Sequence, residues 1–166
     1  MGKIMHVLAW VALMALLTLY FGDVLDRQRN PNRDVTGEVT AEGIRELALR
    51  RNKMGHYVTP GTINGRGVVF LLDTGATGVA IPAAVAQRLS LAQGRPMLTS
   101  TANGTARSYQ TRLAEVRIGD IRLNQVEAAI SPGLQMNEVL LGMSFLKHIE
   151  FSQRGNTLTL RQHPQG

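Results

Sequence analysis

Val68-Val69-Phe70-Leu71-Leu72-Asp73-Thr74-Gly75-Ala76-Thr77-Gly78 is an apolar run that ends in a carboxylate and continues into small and hydroxyl-bearing residues. A short Val/Phe/Leu run bounded by glycines reads as a buried strand. Asp73 therefore stands where a buried strand ends, and an ionised group there is costly unless it is paired or hydrogen-bonded. Thr74 and Thr77 supply hydroxyls beside it, and Gly75 and Gly78 allow a tight turn that brings backbone N–H groups close. By itself an Asp-Thr-Gly tripeptide arises by chance in roughly 3% of chains of this length. Between polar segments its default reading is an Asx-type turn. The preceding strand, and a second apolar element at Val139-Leu140-Leu141-Gly142, move it away from that default.

Upstream of this run, Asn64-Gly65 is a strong hairpin signal joining strand-like residues 56–63 to 67–73. Residues 46–51 read as a further strand, although Ile44 and Leu47 also fit a short helix. Pro82 followed by Ala83-Ala84-Val85-Ala86 predicts a short helix with proline at its first position. Residues 98–102 and 105–111 flank Asn103-Gly104, a second tight hairpin with a small polar tip. Residues 113–118 and 121–130 flank Gly119-Asp120 and alternate apolar with polar side chains, as half-buried strands do. A short helix over 143–148 and a closing strand over 157–160 complete a small, mostly antiparallel β fold.

The first 22 residues differ from everything after them. Residues 4–21 are apolar except for His6 and Thr18, with Lys3 before them and Asp23, Asp26, Arg27 and Arg29 after. At about 1.5 Å per residue such a helix nearly crosses a ~30 Å hydrocarbon layer. The small residues that a signal-peptide cleavage site needs are missing after Leu17, so a retained transmembrane anchor over 1–22 is the expectation. Residues 23–43 are polar, contain Asn30-Pro31-Asn32 and read as a flexible tether, leaving 44–166 for one globular domain. Arg27, Arg29 and Arg33 outnumber Lys3 and the amino terminus, so charge alone would leave the domain in the cytoplasm. The net charge of +6 is scattered, and aromatic content is 5%, which speaks against a nucleic-acid binder. The absence of cysteine excludes disulfides, thiol catalysis and Cys-ligated zinc. The histidines form no HExxH or similar pair, Gly65-Arg66-Gly67 lacks the lysine of a phosphate loop, and no Gly-x-Ser-x-Gly is present. No metal or other cofactor is expected.

Phe70-Leu71-Leu72-Asp73-Thr74-Gly75-Ala76-Thr77, Thr101-Ala102-Asn103-Gly104 and Leu140-Leu141-Gly142-Met143-Ser144-Phe145-Leu146, with Gly55-His56-Tyr57 and Ile63-Asn64-Gly65 upstream, resemble the retropepsin-like aspartic proteases. The similarity is to their bacterial, single-pass, membrane-anchored branch and covers about residues 46–160. It implies a small closed β-barrel domain whose Asp-Thr-Gly loop approaches a two-fold axis, at the bacterial inner membrane with the domain in the periplasm. It also implies roles. Thr74 would brace the loop across the dimer, the Gly75 N–H would touch the carboxylate and Thr77 would bond its outer oxygen. The hairpin around Ala102, Asn103 and Gly104 would be the flap that closes over substrate, with Ile81 and Ala102 nearest the substrate side chains. The flap is poorer in glycine than that of the viral enzymes.

Residues 56–166 contain six acids, of which only Asp73 lies in an Asp-Thr-Gly or Asp-Ser-Gly, so one chain supplies half of a carboxylate pair. Two such carboxylates about 3 Å apart cannot both ionise and share a proton. The ionised member can take a proton from water attacking a peptide carbonyl while the other polarises that carbonyl. The expected activity is thus a homodimeric endopeptidase acting on extended protein segments, membrane-proximal ones among them, without metal or covalent intermediate. The alternative from another class is a non-catalytic dimeric module that grips an extended peptide by strand addition.

Overall fold

The computed structural model describes residues 2–101 and 104–164. In chain order its elements are α1 (Gly2–Arg29), β1 (Glu38–Val39), β2 (Arg45–Arg50), β3 (Tyr57–Ile63), β4 (Arg66–Leu72), β5 (Val79–Pro82), α2 (Ala83–Arg88), β6 (Pro96–Thr101), β7 (Gly104–Ile118), β8 (Ile121–Ser131), β9 (Val139–Leu141), α3 (Met143–Leu146), β10 (Glu150–Arg154) and β11 (Thr157–Gln162). The mostly β architecture agrees with the sequence reading.

One sheet runs β3-β4-β9-β5-β8-β7-β6, and β3 also pairs with β7 through Thr62↔Arg117 and Ile63↔Val116. Those contacts close six strands into a barrel and leave β6 extending from the first half of β7. Two segments expected as separate strands, 105–111 and 113–118, are the single strand β7, whose first part pairs with β6 and whose last part closes the barrel. The sheet is not purely antiparallel: β4 with β9 and β5 with β8 run parallel. A second, antiparallel sheet runs β1-β2-β11-β10.

The hairpin at Asn64-Gly65 forms because both residues adopt positive φ (51° and 76°), the combination that a two-residue primed turn needs. Its register, Ile63↔Arg66 to Tyr57↔Leu72, turns Tyr57, Phe70 and Leu72 inward. Barrel and second sheet share one core, with Phe70, Leu113, Ile130 and Phe145 fully enclosed in the former and Leu47, Leu49 and Leu160 in the latter. The inward Leu47 and Leu49 on alternate positions settle residues 45–50 as strand, not helix. Pro82 ends β5 and precedes the helix that begins at Ala83, one residue later than the proline-first reading.

Helix α1 continues to Arg29, beyond the apolar run, because charged residues at helical spacing support its last turns: Arg27 Nε lies 2.8 Å from Asp23 Oδ2. It is long and apolar enough to cross a membrane, and none of it is buried against the domain. The following segment is tied down. Asn32 is buried, donating to the carbonyls of Val58 (2.7 Å) and Arg50 (2.9 Å) and accepting from Arg50 N–H (2.6 Å). Asn32→Ala would strip partners from buried backbone groups on β2 and β3. The expected loss is about 2–3 kcal/mol, or roughly a 10–15 °C fall in Tm by thermal melting.

Candidate functional site

Asp73 directly follows β4, and its N–H donates to the Leu141 carbonyl of β9 (3.2 Å), prolonging the parallel pairing that runs from Phe70↔Val139 to Leu72↔Leu141. The chain then loops through residues 74–78 into β5, and β9 lies between β4 and β5. The carboxylate is thus carried by a loop whose two legs straddle a third strand. The loop is braced from inside: the Gly75 N–H donates to Asp73 Oδ1 at 2.9 Å, and the Ala76 N–H donates to the Asp73 carbonyl at 3.2 Å.

The first turn of α3 holds the far side of the loop. The N–H groups of Met143 and Ser144 donate to the carbonyls of Ala76 (2.8 Å) and Thr77 (2.9 Å), and Ser144 Oγ accepts from the Val79 N–H (3.2 Å). This approach depends on Gly142. A Cβ at that position would fall onto the carbonyl oxygens of Gly78 and Ala76, which are backbone atoms with nowhere to move. Leu140-Leu141-Gly142 and Asp73-Thr74-Gly75 are therefore two halves of one device. Ser144 was not singled out as a site residue in the sequence; its one signal was its place immediately after that apolar-apolar-glycine run.

Asp73 is half-buried, while Thr74, Gly75 and Thr77 are exposed. Among the described residues, no hydrogen bond joins either threonine hydroxyl to the carboxylate, and the loop presents them outward. Ile81 lies in the core with no exposed surface, because on β5 the side chains of Val79 and Ile81 turn inward; Ala80, between them, is the half-exposed one. Ala102 and Asn103 lie outside the described residues. Gly104 is exposed with φ 106°, and pairing of Thr101 with Gly104 makes it the first residue of β7. Among the described residues no group of three or more His, Asp or Glu side chains could hold a metal ion.

Residues 59–148, more than half of the chain, match the family described as "gag-polyprotein putative aspartyl protease". A Sinorhizobium protein designated "Uncharacterized protein in cobV 5'region" is 33% identical over 125 residues, covering 73% of this chain and 54% of its own length. The chain thus spans about half the length of that curated relative. Among solved structures, a retropepsin-like aspartic protease from Rickettsia conorii superposes with a TM-score of 0.60 at 24% identity, over 78% of this chain and 96% of that one. The EIAV protease in complex with the inhibitor HBY-793 gives 0.47 at 20% identity, over 58% and 89%. With Asp73-Thr74-Gly75 and Leu140-Leu141-Gly142 locked together across β4, β9 and β5, and with the family match covering both, the chain belongs to the retropepsin-like aspartic proteases.

Proposed function

We propose that the protein is an aspartic endopeptidase whose active site forms from two copies of Asp73, one from each subunit of a homodimer. The observation that carries this reading is the position of Asp73: a half-buried carboxylate, oriented by the Gly75 N–H, on a loop that a strand and a helix both clamp. In the dimer the two carboxylates share one proton. The ionised one accepts a proton from the attacking water, and the protonated one donates to the carbonyl oxygen as the tetrahedral intermediate forms. Thr74 and Thr77, exposed in the single chain, face the partner and the substrate. The hairpin of β6 and β7 is the flap, and the substrate lies extended beneath it. The anchor holds the enzyme at the bacterial inner membrane with the domain in the periplasm, and confinement to the membrane raises the local concentration of like subunits.

Support for self-association comes from β10. It ends the second sheet, every residue in it is exposed, and among the described residues nothing pairs with its outer edge. Arg154 and Thr157 flank a two-residue turn and form a hydrogen-bonded pair, so by alternation Ser152 and Glu150 also bond to β11. The backbone groups of Phe151 and Gln153 are therefore the ones directed outward. A two-fold copy that pairs antiparallel about Ser152 matches Phe151 with Gln153 of the other strand and sets Glu150 opposite Arg154 twice over. The His163 hydrogen bond to Glu150 (2.9 Å) is the main cause holding its carboxyl below the ordinary range. Ser152→Cys, in a chain with no other cysteine, is expected to give a disulfide-linked dimer under mild oxidation, read on a non-reducing gel. The exposed Gln87→Cys on α2 serves as the control that stays monomeric. A dimeric protein in which Ser152→Cys does not cross-link would place the two-fold axis elsewhere.

The activity itself is tested by incubating the protein with a mixed peptide library from pH 4 to 7 and reading cleavage by mass spectrometry. Cleavage blocked by a transition-state-mimicking inhibitor supports the enzyme. A folded, dimeric and inert protein that still retains peptides would establish the binding module instead.

A further inference from the structure

Ahead of β1, the segment that reads as a leash is fastened at three points. Asn52 Nδ2 donates to the Arg29 carbonyl at the end of α1 (2.9 Å). Arg33 reaches back to Asp23 (3.1 Å) and Asp26 (3.3 Å) on the helix. Asn32 is buried between β2 and β3. The strand residue it grips, Val58, pairs with Leu71, two positions before Asp73. The path from the membrane to the site is therefore short and built of fixed pieces.

Its length can be bounded. From Phe21, the last apolar residue of the span, to Arg29 the helix rises about 12 Å. Arg29 to Asn32 adds at most about 10 Å. From Asn32 through Val58 and Leu71 to Asp73 is about 20 Å at most, at strand spacings of about 5 Å sideways and 3.3 Å per residue lengthwise. Asp73 thus lies within about 40 Å of the hydrocarbon edge, whereas an unfastened chain over 23–43 could extend about 70 Å. Both subunits of a dimer carry the same fastening, so their shared site has one height.

We infer that the fastened anchor is a ruler, and that the substrates are extended juxtamembrane segments of other membrane-inserted proteins, cut within about a dozen residues of their spans. This inference rests on the protease reading above. The distance follows from the staple. The class of substrate follows from the distance: a site held this close to the bilayer meets chains leaving it far more often than it meets distant loops.

The test uses the full chain in lipid nanodiscs with single-span model substrates, each carrying one cleavable sequence at about 5, 10, 20 or 40 residues from its span. A second protein, the insertion variant, carries a flexible Gly/Ser insertion of about 20 residues between Arg29 and Asn30 together with Asn52→Asp and Arg33→Ala, which remove the other two fastenings, so that the helix is freed while Asn32 stays in place; the insertion adds an r.m.s. reach of about 25 Å. The intact chain is expected to cut the two nearest sites at least about 10-fold faster than the farthest, and the insertion to bring that ratio within about 2-fold. A fluorophore on Lys147→Cys, an exposed position just after α3, reports distance to a headgroup acceptor independently of cleavage. It should read a short, narrow distance in the intact chain and a longer, broader one after insertion. Equal cutting at all distances, or a label as distant and spread in the intact chain as in the insertion variant, overturns the ruler. A short, narrow distance with no cleavage of any substrate or free peptide overturns the substrate class through failure of the protease reading, and leaves the staple standing.

Discussion

Asp73→Asn is expected to abolish peptide cleavage, by about 10,000-fold or more, in a protein that folds and dimerises as before. The substitution is nearly isosteric, and the amide oxygen can still accept the Gly75 N–H that Asp73 Oδ1 accepts at 2.9 Å. The loop geometry therefore survives while the exchangeable proton is lost. Because a dimer loses both carboxylates at once, general-base and general-acid contributions of roughly 100- to 10,000-fold each are removed together. Cleavage of a library-derived peptide, with circular dichroism and sedimentation as checks on fold and assembly, measures this directly. A mixing experiment adds the number of subunits per site. With equal amounts of parent and variant under full exchange, random pairing leaves about half of the parent's activity if each site needs two Asp73, and all of it if each subunit acts alone. A variant with near-parental rates would remove Asp73 from the chemistry altogether.

Gly142→Ala should cost the domain far more stability than a single added methyl group ordinarily does. Its Cβ meets the carbonyls of Gly78 and Ala76, and the neighbouring Met143 and Ser144 N–H groups bond to that same loop. Relief would require moving β9 and α3 away from the loop. That breaks the bond from Met143 to Ala76 at 2.8 Å and the bond from Ser144 to Thr77 at 2.9 Å. Overpacking of side chains costs about 1–3 kcal/mol, and a clash against immovable backbone exceeds that range, so about 4 kcal/mol or more is expected. Urea titration reads the stability, and any variant that remains folded should also lose activity, because Asp73 N–H bonds to the displaced strand through Leu141. An unchanged midpoint would mean that the loop and β9 are not in the contact described.

These two residues show how far the sequence could be read. Asp73 was legible because its chemistry is local: an apolar strand, a carboxylate, then glycine and hydroxyls. The hairpin at Asn64-Gly65 and helix α3 were legible for the same reason. The grip of α3 on the loop was not, since hydrogen bonds from Met143 and Ser144 to Ala76 and Thr77 join residues far apart in the chain. Strand β5 escaped notice because Val79-Ala80-Ile81-Pro82 is short and runs into a proline, and only its parallel pairing with β8 makes it a strand. Strand β10 carries one large apolar residue, Phe151, and buries none of its residues, so it has no buried alternation to betray it. Ile81 was expected beside the substrate side chains. Alternation along β5 turns it into the core and leaves Ala80 as the half-exposed neighbour. Residues 30–43 looked like a leash because their attachment rests on one buried asparagine and the two-residue strand β1, and asparagine after proline is an ordinary loop signal.

The threading of β9 between β4 and β5 also sets when the loop bearing Asp73 can take its final shape. Chains emerge from the ribosome amino terminus first, and domains fold as units behind the emerging segment. Strands β4 and β5 leave the ribosome first, and the strand that joins them, Val139–Leu141, follows only after β6, β7 and β8. Until it arrives the loop bearing Asp73 lacks its inner support, and long-range parallel pairing of this kind is slow to form. On the protease reading proposed above, a nascent chain is therefore silent until Val139–Leu141 has emerged, so the order of synthesis itself delays cleavage of neighbouring proteins.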